Sequence, residues 1–293
     1  MRDRETRHLA LMLAPYVVGL VVLIALPALV TFALALTEYD LIRSPRFLGL
    51  DNFRELLDDD IFRISLRNSL MFMAFAVPLR LASALALALL LHRRYRGVAA
   101  YRTSAYLPSV VPDVAYALLW LWIFNPLYGP LNLILDSVGA PSPQWLTDPH
   151  DARWAVVLMS LFQIGEGFIV ALAVRQSLPG DLYELAEIEG ARPAYVFARV
   201  TLPLMAPALA LLLFRDTIFS FQANFVPALL IFDGGPPPYA TTYLPLFVYT
   251  NAFEYLRYGY AAGATLVMFG VTALIVFAQW RILRRWRVAS STA

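Results

Sequence analysis

Residues 11–36 read LMLAPYVVGLVVLIALPALVTFALAL, a run with no charged side chain. Crossing a hydrocarbon layer of about 30 Å takes about 20 helical residues, so this run sets the class of the fold. It is longer than the apolar core of a cleaved leader, about 7 to 15 residues, and lacks a clear small-residue cleavage site, so it reads as a retained anchor. Five further stretches of the same kind follow at 69–91, 104–124, 154–174, 204–226 and 260–280. The expectation is an all-α integral membrane protein, residues 1–293 forming one domain of six transmembrane helices.

Composition agrees with that class. Of 293 residues, 60% are hydrophobic and mean hydropathy is +0.63, whereas a soluble domain is about half apolar. A formal charge of +2 is too small to imply a nucleic-acid partner. Cys is absent and only three His occur, which removes disulfides, thiolate nucleophiles and a metal centre. Lys is absent too, all 23 basic residues being Arg. A phosphate-binding loop ending in Gly-Lys-Ser/Thr therefore cannot exist here, and any ATP chemistry belongs to another chain.

Arginine placement gives orientation. With the N-terminus inside, the inner segments hold Arg2, Arg4, Arg7, Arg93, Arg94, Arg96, Arg102, Arg175, Arg192, Arg199, Arg281, Arg284, Arg285 and Arg287, fourteen against seven in the outer loops. The short loop 92–102 is decisive, with four Arg and no acid. Both termini and the polar loop 175–203 are expected in the cytoplasm. The outer loops carry turn residues instead, as in Asn125-Pro126, Pro141-Ser142-Pro143 and Gly234-Gly235-Pro236-Pro237-Pro238.

The inner loop between the fourth and fifth runs contains Tyr183-Glu184-Leu185-Ala186-Glu187-Ile188-Glu189-Gly190-Ala191 and then Val200-Thr201-Leu202-Pro203. Asp181 with Glu184 three residues on has the form of a capping box, Gly190 breaks the helix so opened, and a second short helix begins at Pro193 and ends before Pro203. Glu184 is then either a helix cap or a carboxylate offered to an Arg of a partner.

The spacing resembles the EAA loop of ATP-binding-cassette (ABC) import permeases: Glu-Ala-Ala, three residues, Gly, nine residues, Ile-x-Leu-Pro. Glu184, Ala186, Gly190, Leu202 and Pro203 fall in register, while Leu185 and Val200 depart from the pattern. Gly49-Leu50-Asp51-Asn52-Phe53, Tyr106-Leu107-Pro108, Phe124-Asn125-Pro126, Trp145-Leu146-Thr147-Asp148 and Gly234-Gly235-Pro236 extend the likeness to nearly the whole chain and resemble the sugar-uptake branch. Thr241-Thr242 and Ala252-Phe253 are similar to the larger maltose permease subunit and the glycerol-3-phosphate permease. The resemblance implies a type I ABC importer permease (MetI-like) fold with cytoplasmic coupling helices, in the cytoplasmic membrane of a bacterium or archaeon. It implies as partners a second permease subunit, two ATPase subunits carrying ATP and magnesium, and an extracytoplasmic substrate-binding lipoprotein, with Glu184, Ala186 and Gly190 as coupling residues.

Charges inside a bilayer are costly and face protein or water. Arg80, Glu166, Arg215 and Asp216 fall near the middles of their runs, and Asp113 in the outer half of its own. The first four form either an ion network that fixes the bundle or a transport site, and Arg215-Asp216 is not expected from the family. Asp216, Ser220 and Asn224 recur at i, i+4 and i+8, with Thr217, Phe221 and Phe225 beside them. Such a stripe suits a polyhydroxylated solute, or else bridges helices. An importer of a sugar leads. Glycerol-3-phosphate or a polyamine is the alternative solute, and an ion-coupled transporter using Glu166 or Asp216 the alternative class.

Overall fold

The computed structural model describes residues 2–290 apart from 94, 223, 237 and 238, with side chains described over 11–284. Arg94, Pro237 and Pro238 of the sequence motifs lie outside the described residues, as do the side chains of Arg2, Arg4, Arg7, Arg285 and Arg287. The chain is mostly helical. Four helical stretches are long and apolar enough to cross a membrane: Leu11–Leu34, Asp60–Leu91, Pro193–Leu230, which holds more than one helix, and Tyr258–Arg284. Two bent pairs pass the same test only together, Val98–Val110 with Asp113–Ile123 and Pro149–Phe162 with Gly165–Ser177, giving up to six spans among the described residues.

The bent pairs correct the straight helices expected at 104–124 and 154–174. In the first, the direction changes by 102°. Pro112 has no N–H to donate and forces Val111 into an extended conformation, φ −70° and ψ 130°. The second bends by 44° with no proline at the break. There side chains from other segments take the freed backbone groups, as irregular backbone at membrane depth requires. The Tyr116 hydroxyl donates to the Met159 carbonyl at 2.6 Å, Arg80 to the Gln163 carbonyl at 3.3 Å, and the Gly165 N–H donates to Ser109 Oγ at 2.9 Å. Gly165 itself is dictated by space, because a Cβ there would sit 2.5 Å from Ser109 Oγ and 2.9 Å from the Tyr106 ring.

Two further boundaries move. The second helix starts at Asp60 instead of 69, because Asp59 accepts from the N–H groups of Ile61 and Phe62 and opens polar turns ahead of the apolar run. The fifth helix, Leu202–Ser220, stops short of 226, and Phe225–Leu230 is separate. Pro227 lacks the N–H that a continuous helix needs.

The chain divides into two compact units. In the first, residues 1–63 and 247–270, an antiparallel ribbon pairs Thr37–Glu38 with Arg46–Phe47. Gly49, at φ +66°, turns the chain into the Asp51–Asp58 helix. The buried Asn52 amide donates to the carbonyls of Ala35 and Thr37, each at 2.9 Å. Tyr260 donates to Asp59 Oδ2 at 2.7 Å, and Gly259 lies so close to the Thr37 carbonyl that a Cβ would collide with it.

The second unit, residues 64–246 and 271–293, holds two apolar clusters. One gathers Phe72, Trp120, Phe124, Met159 and Tyr243, the other Ala88, Phe168, Met205 and Leu212. Asn68 ties the loop after the fifth helix to the second by donating to the carbonyls of Tyr239 and Thr242. Thr242 Oγ1 donates to Gly234, whose φ of +82° closes the turn.

Gly259→Ala is expected to lower the thermal stability of the detergent-solubilised protein by about 1–3 kcal/mol, the usual cost of overpacking. Gly270→Ala, with open space around it, should leave the melting temperature unchanged or raise it.

Candidate functional site

Arg80, Glu166, Arg215 and Asp216 meet in the second unit. The Arg215 guanidinium pairs with Glu166 and, at 3.0 Å, with Asp216, while Arg80 lies 3.9 Å from the same Asp216 oxygen. Arg80 and Asp216 are buried, their side chains 3% and 7% exposed; Glu166 is more than half exposed. Two cations and two anions balance, which is how ionised groups persist away from water. Both guanidinium groups also lie over the Phe219 ring, at 6.0 Å from Arg80 and 5.4 Å from Arg215. Glu166 opens the Gly165–Ser177 helix, where the positive end of the backbone dipole favours a carboxylate. Arg80 thus serves two ends, the countercharge of Asp216 and the carbonyl exposed at the break in the fourth segment.

The stripe on the fifth helix is mostly enclosed. Asp216, Thr217, Ser220, Phe221 and Asn224 are buried and Phe225 is half-buried. Thr217 Oγ1 accepts from Gln279 at 2.9 Å, and Ser220 donates to its own helix at the Thr217 carbonyl. The expected i, i+4, i+8 face stops at Ser220, since the helix ends there. Asn224 lies beyond it, and both its amide nitrogen and oxygen are buried without a partner among the described residues. Asp113, exposed, opens the helix after the 102° bend.

The loop 175–203 forms two helices, Asp181–Ile188 and Pro193–Val196. Gly190, at φ +67°, closes the first in a left-handed turn: its N–H donates to the Glu187 carbonyl and that of Ala191 to the Ala186 carbonyl. Only its backbone conformation demands glycine, because space around it is open. Two expectations are corrected. The capping box does not form, for Gly180 stands at the cap and no side chain bonds there; the Glu184 carboxylate is left exposed. Nor does the second helix end before Pro203. It widens into a π-type turn over Phe197–Thr201 and runs on into Leu202–Ser220, the wide turn absorbing the N–H that Pro203 lacks. The outward side carries apolar groups, Leu185 54%, Ile188 83% and Tyr195 60% exposed. Leu202 and Pro203 are exposed as well, while Ala186 is half-buried. The sequence reading passed over that apolar surface, although Leu185 and Ile188 at i, i+3 were its signal.

Residues 84–288 match the family model described as binding-protein-dependent transport system inner membrane component. Among curated proteins, the probable ABC transporter permease protein YesP of Bacillus subtilis is 33% identical over 278 residues, 94% of this chain and 89% of that protein. The sulfoquinovosyl glycerol transport system permease SmoG of Agrobacterium fabrum is 30% identical, covering 81% and 77%. The sn-glycerol-3-phosphate permease UgpA of the same organism is 31% identical, covering 83% and 82%. The fold is shared with a chain of a bacterial ABC transporter involved in import of the acidic polysaccharide alginate, with TM-score 0.82, 24% identity and 96% of both chains covered. A chain of that kind of transporter bound to an alginate pentasaccharide-loaded periplasmic protein superposes at TM-score 0.83 with 23% identity.

Asp216→Asn strands the buried Arg80 and is expected to cost about 3–5 kcal/mol of stability, whereas Arg80→Met with Asp216→Leu should recover most of it. Thermal unfolding of the single and the double variant beside the parent in detergent measures both.

Proposed function

Because the chain belongs to the family of binding-protein-dependent transport system inner membrane components, we propose that it is one of two dissimilar permease halves of an ATP-driven importer of a sugar or oligosaccharide. It is an integral membrane transport subunit and not an enzyme. In the proposed arrangement each bent pair is a single span, so the chain crosses six times with both termini and the loop 175–203 in the cytoplasm. Two ATPase subunits hold ATP and magnesium, and an extracytoplasmic binding lipoprotein delivers the solute. A second, non-identical permease completes the pathway.

The observation that carries this reading is the inner loop. A short helix turned by Gly190 presents Glu184 beside the exposed apolar groups Leu185 and Ile188. An apolar patch flanked by an acid is the surface a partner protein buries, and here it stands on a rigid turn joined to the fifth span. Nucleotide-driven closure of the ATPases then displaces the helix, and the packed spans answer by switching between outward-open and inward-open arrangements. Asp216, Thr217, Ser220, Phe221, Asn224 and Phe225 are the candidate pathway face, exposed to solute in another state of the cycle. The unpartnered amide of Asn224 supports this, since a buried polar group without a partner costs about 1–3 kcal/mol and is relieved by a hydroxyl-bearing solute.

The relatives named for sulfoquinovosyl glycerol and sn-glycerol-3-phosphate transport support a polyhydroxylated solute for this chain and give glycerol-3-phosphate as the alternative. A proton- or sodium-coupled transporter is the weaker reading, because Glu166 and Asp216 already have guanidinium partners.

Gly190→Pro fixes φ near −65° where +67° is needed. It should leave membrane insertion intact but abolish co-purification with the ATPases and ATP-driven uptake in proteoliposomes. Uptake that follows an ion gradient and ignores ATP would overturn the proposed function.

A further inference from the structure

The inner ends of several segments in the second unit are joined by a run of polar contacts that the loop motif does not include. On the Asp181–Ile188 helix, Tyr183 and Ala186 are half-buried on the side away from Ile188. The Tyr183 ring lies under the Arg175 guanidinium at 4.2 Å, and its hydroxyl meets Thr201 Oγ1 at 3.1 Å. Arg175 ends the Gly165–Ser177 helix, and Thr201 ends the wide turn that leads into the fifth span. Arg175 reaches further, donating to His92 Nε2 at 3.4 Å. His92 follows the Asp60–Leu91 helix and donates from Nδ1 to the Leu89 carbonyl at 2.6 Å, which leaves Nε2 as the acceptor. Arg102, from the Val98–Tyr106 helix, completes the run by donating to the carbonyls of Leu91 and His92.

We propose that Tyr183 and Arg175 are positioning residues for transport, forming a clamp through which movement of the Asp181–Ile188 helix reaches the second, fourth and fifth spans. The clamp rests on the proposed function, since it needs an ATPase to move that helix. The covalent link from Gly190 to the fifth span alone would rotate the helix without displacing the fourth and second. A ring held against a guanidinium and a hydroxyl transmits both push and pull. Burial, opposed by the hydrogen bond to the Leu89 carbonyl and reinforced by the positive charges of Arg175, Arg93 and Arg102, holds His92 below its ordinary value of 6.5, so it is neutral at physiological pH and able to accept from Arg175. The neutral form's contribution is fully present above that ordinary value, and acidification through the depressed pKa removes it.

The absence of Cys allows spin labels to be placed at will. One pair, Glu187→Cys with Arg96→Cys, reports the seating of the helix in the permease alone. Its distance distribution is expected to be narrow in the parent and slightly wider in Tyr183→Phe, which keeps the ring against Arg175 but loses the hydroxyl contact with Thr201. It should broaden in Tyr183→Leu and Arg175→Met, and in the parent as pH falls below the ordinary histidine range. Equal widths in all four proteins would overturn the clamp without any ATPase present. A second pair, Val170→Cys with Leu211→Cys, reports the fourth and fifth spans in the full complex, with ATP and magnesium as the probe. ATP should shift the parent and, to a lesser extent, Tyr183→Phe, while in Tyr183→Leu the switched population falls about tenfold, the worth of one half-buried cation–π contact, with ATPase co-purification retained. An undiminished shift in Tyr183→Leu overturns the clamp. A parent that ATP does not shift overturns the proposed function, and the first label pair still decides the clamp.

Discussion

A guanidinium at membrane depth needs a countercharge and an acceptor for at least part of its N–H array, and Arg80, whose Nε stays without a partner among the described residues, sets this constraint for the second unit. Asp216 supplies the charge and Gln163 the carbonyl. That carbonyl is free only because the fourth segment breaks between Phe162 and Gly165. The break in turn needs Gly165, Ser109 and Tyr116 to cover its backbone. Arg215 then follows, for Asp216 and Glu166 together carry one negative charge more than Arg80 neutralises. Four spans' worth of sequence is thus tied to one buried cation.

The features legible in the sequence were those with a direct signal in composition. The apolar runs marked membrane segments, and Gly190 marked the turn that its positive φ requires. Arg80, Glu166, Arg215 and Asp216 were visible as charges in apolar surroundings, and the structure gathers them. Their pairing needed the packing of three segments, which no local pattern encodes. The break near Gln163 was hidden because no proline stands there; its only trace is Gly165, whose necessity comes from Ser109 and Tyr106 far away in sequence.

Proline misled in both directions. Pro112 bends the chain sharply, and its proximity to Pro108 was signal enough. Pro203 was read as a helix end, yet the helix passes through it by widening its turn. Pro78 likewise sits inside the Asp60–Leu91 helix. A missing N–H stops a helix in water, but within a packed bundle neighbouring groups and looser turns accommodate it. The capping box failed for a related reason: Gly180 already continues helical backbone geometry, φ −63° and ψ −38°, so Asp181 stands inside the first turn instead of before it.

The wide turn at Phe197–Thr201 also acts on azimuth. A helix advances about 100° per residue, and a π-type turn inserts one residue without adding a full step of rise. Every side chain beyond it is therefore rotated by about that angle relative to an unbroken α-helix entering from Pro193. Asp216 points at Arg80, and Thr217 at Gln279, in a phase set at the mouth of the span. Removing a single residue there would swing the acid off its cation while leaving the apolar run, and so the membrane anchoring, intact.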